Sequence, residues 1–106
     1  MSAEDTIEAL RKIDFKEINS ACSKQNINLR VDDFARRKFE KALSTAHLLI
    51  TQPIEIAITK QTKSDSLQAL RDVKKVFDSV YLSTKDQKYK AYSDYLNELM
   101  THSKLK

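Results

Sequence analysis

The chain of 106 residues contains no glycine, no tryptophan, one proline and one cysteine. Average glycine usage of about 7% would give roughly seven glycines at this length. Their absence excludes the glycine-rich loops that bind nucleotides and the G-x-S-x-G turn of many hydrolases. It also removes the Asn-Gly and Gly-X turns of tight β-hairpins. The composition therefore predicts an all-α fold, in a single helical domain over residues 1–106.

The sequence also lacks long apolar runs and a second cysteine. Its longest wholly apolar runs have three residues, as in Leu48–Ile50, whereas a transmembrane helix needs about twenty. The acidic N-terminal residues do not form a secretory signal. Cys22 has no partner for an internal disulfide, which favours a reducing compartment. We therefore expect a cytoplasmic or nuclear protein without a membrane partner.

Charge is unevenly distributed along the chain, whose formal net charge is +4. Residues 1–33 hold five basic and seven acidic residues, whereas residues 34–106 hold fourteen basic and eight acidic ones. This asymmetry favours an anionic partner for the second part. The acidic residues are interspersed with the basic ones, so the pattern is not by itself typical of nucleic-acid binding.

Apolar residues at spacings of three and four predict a series of helices. A capping box at Ser2 and Asp5 starts a helix over 3–13. A second box at 14–17 leaves open whether that helix stops or kinks and continues to residue 24. The asparagine-rich stretch 25–30 predicts a loop. Further helices are predicted over 32–51, 66–82 and 85–101, with a polar link at 62–66 and a frayed tail at 103–106.

The stretch Ile54–Ile58 is ambiguous. It alternates apolar and polar residues like a strand, but the chain offers no partner strand. We predict a short helix over 53–62 and leave the strand open. The complete pattern then predicts a compact antiparallel bundle of four to six helices.

Few residues are suited to catalysis or metal binding. Cys22, His47 and His102 do not have the spacing of a zinc or other metal site. Cys22 lies on an apolar stripe with Ile18, where a buried and inert thiol is the usual outcome. We therefore expect a protein that is not an enzyme and that has no metal or other cofactor.

His47 is a distant candidate for chemistry, because it lies on a long amphipathic helix of the predicted bundle. In this one feature it resembles histidine phosphotransfer domains, which are helical bundles that expose one histidine. Those domains have a lysine, then glycine and small residues after the histidine, whereas this chain has Ile50 and Thr51 there. Phosphotransfer through His47 is therefore a third hypothesis.

The helix over 32–51 has a basic face. Arg37, Lys38 and Lys41 share one side of the helix with Phe34, so phosphate binding with base stacking is one hypothesis. Other basic residues between 34 and 90 could extend this face. The alternative is a solvated face, in which i,i+4 pairs such as Arg36 with Glu40 stabilise the helix.

Four tyrosines are concentrated near the last two helices. Tyrosine combines an apolar ring with a polar edge, so it suits the rim of a core or a recognition surface. If a protein-binding patch exists there, we predict that it contains Tyr81, Tyr92, Tyr95 and Met100. The leading hypothesis is a non-enzymatic interaction module, such as an adaptor, an inhibitor, an immunity-type protein or a subunit of a complex. Nucleic-acid binding is the second hypothesis, and a homodimer stays open.

Overall fold

Five helices make up most of the structure, a computed structural model that describes residues 2–52, 58–103 and 105. They are α1 (Ala3–Arg11), α2 (Phe15–Lys24), α3 (Asp33–Thr51), α4 (Lys60–Thr84) and α5 (Gln87–His102). No strand occurs among the described residues. The predicted all-α bundle is confirmed.

Every helix begins at a side chain that caps it. Ser2 and Asp5 form the predicted capping box of α1. Asp14 separates α1 from α2, because its carboxylate accepts a hydrogen bond from the amide of Lys16 at 2.9 Å. The first helix therefore stops and a second one begins. Asp32, Thr59 and Asp86 cap α3, α4 and α5 in the same way, which satisfies backbone donors that the helices leave unpaired.

Within the described part of this glycine-free chain, two residues adopt the left-handed backbone conformation. Asn26 has φ 56° and Lys85 has φ 58°. After Asn26, the amide of Ile27 donates to the carbonyl of Cys22 at 2.9 Å and closes α2. Lys85 closes α4, since its amide donates to the carbonyl of Tyr81. Both positions are those at which glycine usually ends a helix.

The longest helix, α4, lies at the centre of the bundle. It contacts α2, α3 and α5, and α1 packs against α3 and α5. The connection from α4 to α5 is short and makes the two helices antiparallel neighbours. The contact surfaces meet in one core, whose largest fully buried side chains include Ile7, Leu10, Ile18, Phe39, Leu43, Leu70, Phe77, Leu96 and Leu99.

The predicted polar link at 62–66 is wrong, because these residues form the first turns of α4. Thr59 caps the helix there and accepts a hydrogen bond from the amide of Thr62 at 3.1 Å. The side chain of Gln61 also donates to Asp65 one turn later, at 2.7 Å. Of the short helix predicted over 53–62, residues 53–57 lie outside the described residues and Ile58 is not helical.

The prediction of a frayed tail is wrong for Ser103 and Leu105, and residues 104 and 106 lie outside the described residues. Ser103 is 3% exposed and Leu105 is 2% exposed, so both pack on the bundle after α5 ends. Chain termini are ordered where their side chains pack against the rest of the domain. Among the described residues, no helix is both long and apolar enough to cross a membrane.

Candidate partner-binding surfaces

The residues considered for catalysis, Cys22 and His47, lie on different helices and in different surroundings. Cys22 is completely buried, and burial raises the pKa of its thiol, with Arg30 opposing the shift. Such a thiol stays protonated and is a poor nucleophile. His47 is half-buried at the side of α3, and its backbone carbonyl accepts a hydrogen bond from Thr51 at 2.8 Å. Within the described residues, no three histidine, cysteine or acidic side chains converge as metal ligands would.

The predicted tyrosine patch is split between the core and the surface. Tyr92 packs with its ring centroid 5.5 Å from that of Phe77 and 6.2 Å from that of Tyr89. Tyr95 is half-buried against the core, and Met100 is only 6% exposed. Met100 therefore contributes to the core, because it lies on the same side of α5 as the buried Leu96 and Leu99.

The end of α4 presents a more open apolar surface. Leu82 is 65% exposed, and its neighbour Tyr81 is half-buried at the rim of the core. The ammonium group of Lys85 lies 5.6 Å from the centre of the Tyr81 ring. We call Tyr81, Leu82 and Lys85 the hairpin-end patch. It contains one predicted residue, Tyr81, and one that sequence reasoning missed, Leu82. The helical spacing of apolar residues could have predicted that Leu82 is exposed, since Leu82 falls outside the stripe that includes Val73, Val76 and Val80.

The predicted basic face is exposed on α3. Phe34 is 65% exposed, and the ammonium group of Lys38 lies 4.3 Å from the centre of its ring. Arg37 and Lys41 are exposed on the same helix. These four residues are the ones predicted for nucleic-acid contact, and the structure keeps them on one side of α3. The cation over the Phe34 ring competes with a stacked base for that ring face.

Acidic residues of α4 border this basic face. Lys38 and Lys41 form one wall of a groove of about 310 Å³, and Asp65 and Asp72 of α4 belong to the other wall. Gln61 and Gln68 hold the two carboxylates through hydrogen bonds of 2.7 and 2.8 Å. The basic face of α3 is therefore partly neutralised by its neighbour.

One acidic residue joins α4 to α5. The carboxylate of Asp78 accepts a hydrogen bond from the buried hydroxyl of Ser93. Its second oxygen accepts one from the ammonium group of Lys74 at 2.9 Å. Asp78 therefore already has two partners within the bundle, which leaves it less available to outside cations.

A cavity of about 710 Å³ lies between the junction of α1 with α2 and the first half of α3. Phe15 and Phe39 meet edge to face in its lining, with ring centroids 5.4 Å apart. The charges at its rim are of both signs, and Arg36 forms an ion pair of 3.8 Å with Asp33. This cavity does not concentrate charge of one sign.

No family model, curated protein or solved structure matches the chain. The inference of function therefore depends on the residues and their geometry.

Proposed function

We propose that the protein is a non-enzymatic protein–protein interaction module that uses the hairpin-end patch. The observation that supports it most directly is the 65% exposure of Leu82 beside the half-buried ring of Tyr81. Burying a leucine side chain completely in a contact contributes about 1.5–3 kcal/mol. A tyrosine adds a large apolar area and a hydroxyl that bonds at the edge of an interface.

The rest of the predicted patch supports this surface from within. Tyr92 is fixed by Phe77 and Tyr89, and this packing keeps α5 in place beside the end of α4. The proposal keeps Tyr95, which is half-buried like Tyr81, and gives Met100 no direct contact with the partner, because its side chain is 6% exposed. The proposal includes a cytoplasmic or nuclear location, in keeping with the single thiol of Cys22.

The proposal is tested by affinity capture of tagged protein from its native lysate, with mass spectrometry of what is retained. Leu82→Asp and Tyr81→Ser each alter one residue of the patch. Leu29→Asp is the matched control, since Leu29 is 42% exposed on a different element. A protein retained by the wild type and the control, but lost with both patch variants, supports the proposal. Circular dichroism establishes that every variant is still helical.

Two results would contradict the proposal. If the two patch variants retain every protein that the wild type captures, the hairpin-end patch is not the binding surface. If Leu29→Asp loses the same protein, the effect comes from adding a charge and not from the location of Leu82.

Nucleic-acid binding is the second candidate, supported by the exposure of Phe34 and the basic face of α3. It predicts binding of a labelled single-stranded oligonucleotide that weakens steeply with salt. Replacing both Arg37 and Lys41 by alanine then lowers the salt slope by about 1.4, at about 0.7 for each lost phosphate contact. Capture that fails after nuclease treatment would favour this candidate, whereas an unchanged slope would exclude these two residues.

A further inference from the structure

The side of α4 that faces away from the core carries several basic residues. Lys60, Arg71 and Lys75 are exposed and lie on the side of α4 away from the core. At about 100° per residue, Arg71 and Lys75 each lie within about 20° of Leu82 around the helix axis. Val73, which is buried, lies about 180° from Leu82 by the same measure. We call Lys60, Arg71, Lys75 and Leu82 the outer α4 face. Leu67 lies at its edge, about 60° from Leu82 around the helix axis, and is partly buried against the core.

Among the acidic residues of α4, Asp65 and Asp72 lie to one side of this face, whereas Asp78 lies about 40° from Leu82 and is bonded within the bundle. Asp65 and Asp72 line the groove shared with Lys38 and Lys41 of α3. Asp78 accepts hydrogen bonds from Lys74 and from Ser93 of α5. The carboxylates thus serve contacts within the bundle, and the outer α4 face keeps a surplus of positive charge.

We propose that the outer α4 face binds an acidic amphipathic helix of a partner protein. This rests on the proposed function, because Leu82 belongs to both surfaces, and it adds the chemistry of the partner. Leu67 and Leu82 are separated by about 22 Å along the helix, which is about four turns. A partner helix of that length places apolar side chains against Leu82 and the accessible edge of Leu67, and its glutamates or aspartates beside Arg71 and Lys75.

The leucines favour a protein partner over a nucleic acid. A phosphate backbone is attracted by the cations alone and gains nothing from an apolar side chain that is 65% exposed. An amphipathic helix uses both features, since its apolar stripe covers Leu82 while its charges determine the orientation and the rate of encounter. The contribution of Leu82 therefore distinguishes the two kinds of partner.

The experiment measures the binding of a fluorescein-labelled helical peptide of about 18 residues by anisotropy. The peptide has a leucine stripe flanked by glutamates, and a counterpart has lysines in place of the glutamates. The full chain is titrated at about 50 mM and about 300 mM salt, because screening weakens exposed charge pairs. We expect the glutamate peptide to bind about tenfold more tightly at low salt, and the lysine peptide not to bind.

Two variants with equal total charge locate the binding. Replacing Arg71 and Lys75 by glutamate, or Arg37 and Lys41 by glutamate, lowers the formal net charge from +4 to zero in both cases. We expect about a tenfold loss of affinity for the first variant and less than about a twofold change for the second. Leu82→Ser should also weaken binding about tenfold, and circular dichroism checks the fold of each variant.

Three outcomes would overturn the proposal. Equal losses in the two charge-reversed variants would mean attraction by net charge alone. Unchanged affinity in Leu82→Ser would remove the apolar contact. An oligonucleotide that binds through Arg71 and Lys75, but is indifferent to Leu82→Ser, would make nucleic acid the ligand of this face.

Failure of the proposal of an acidic helical partner can be distinguished from failure of the proposed function. A native partner that is lost with Leu82→Asp but retained after reversal of Arg71 and Lys75 would leave the hairpin-end patch intact as a binding surface. It would exclude only the acidic character of the partner.

Discussion

Asn19 of α2 forms hydrogen bonds with both polar groups of the Val31 backbone. Its side-chain nitrogen donates to the carbonyl of Val31 at 2.8 Å, and its side-chain oxygen accepts from the amide of Val31 at 2.8 Å. Val31 is 3% exposed, so water does not readily replace these bonds. One amide side chain thereby holds the loop before α3 against α2, twelve residues earlier in the chain.

Replacing Asn19 by aspartate should keep one of the two hydrogen bonds and remove the other. At pH 7 the carboxylate still accepts from the Val31 amide, but its other oxygen faces the Val31 carbonyl without a proton. We expect the free energy of unfolding to fall by about 2 kcal/mol in urea titrations followed by circular dichroism.

Lowering the pH should reduce this loss in the free energy of unfolding. The carbonyl raises the pKa of the introduced carboxyl above its unfolded value of about 3.9, so the loss is present at high pH and recedes as the group becomes protonated. Asn19→Ala is the control, because it lacks both bonds at every pH. A deficit of Asn19→Asp that is independent of pH would contradict this account.

Lys85→Gly should stabilise the protein. A residue with a β-carbon loses about 1 kcal/mol in the left-handed conformation that Lys85 adopts, and glycine does not. We expect a comparable rise in the free energy of unfolding, measured by urea denaturation. Asn26→Gly should have a smaller effect, since asparagine tolerates that conformation better than lysine. If Lys85→Gly is neutral or destabilising, the contact of Lys85 with the Tyr81 ring stabilises the turn more than the strain destabilises it.

Alkaline pH should destabilise the fold partly through Cys22. Burial raises the pKa of its thiol in the folded protein, so the folded state keeps a proton that the unfolded state releases above about pH 8.5. Unfolding is then favoured as pH rises through this range. Burial raises the pKa of Tyr89 as well, which adds a loss of the same sign at higher pH.

Urea titrations between about pH 8 and about pH 10 measure this loss. Cys22→Ala should show a shallower decline than the wild type, although it starts from a lower stability because it leaves a cavity. Parallel declines in the two proteins would show that the thiol does not titrate differently on unfolding.

Leu105→Ala should cost about 2 kcal/mol of stability, because Leu105 is 2% exposed and truncation of a buried leucine leaves a cavity. Leu82→Ala is the matched control on the outside of α4 and should change the free energy of unfolding by less than about 0.5 kcal/mol. Thermal and urea denaturation measure both variants. Equal effects would contradict the placement of Leu105 in the core.

The spacing of apolar residues predicts a helix correctly where one side of that helix is buried along its whole length. The stripes containing Phe39 and Leu43, or Leu96 and Leu99, identify α3 and α5 because burial repeats every three to four residues. The start of α4 was missed for a local reason. Serines and threonines at 62–66 are typical of links and caps, but Thr59 supplies the cap and Ser66 is buried in the helix.

Long-range contacts had no such signal in the sequence. The predicted patch placed Met100 at the surface, because a stripe does not show how deeply its edge is covered by the neighbouring helix. Asn19 and Val31 belong to different elements, and the ion pair between Glu17 and Lys88 joins residues 71 positions apart. Only the packing of the helices decides which of these side chains meet.

The contact between α1 and α5 has a consequence for the order of folding. These are the first and last helices of the described chain, and Ala3 and Thr6 border the same small cavity as Leu99 and His102. The α3–α4 and α4–α5 contacts join consecutive helices and can form early. During synthesis, by contrast, α1 is made before α5, so α1 cannot complete its packing until α5 has left the ribosome. We expect Ile7 and Leu10 to remain accessible to chaperones for longer than the core residues of α4.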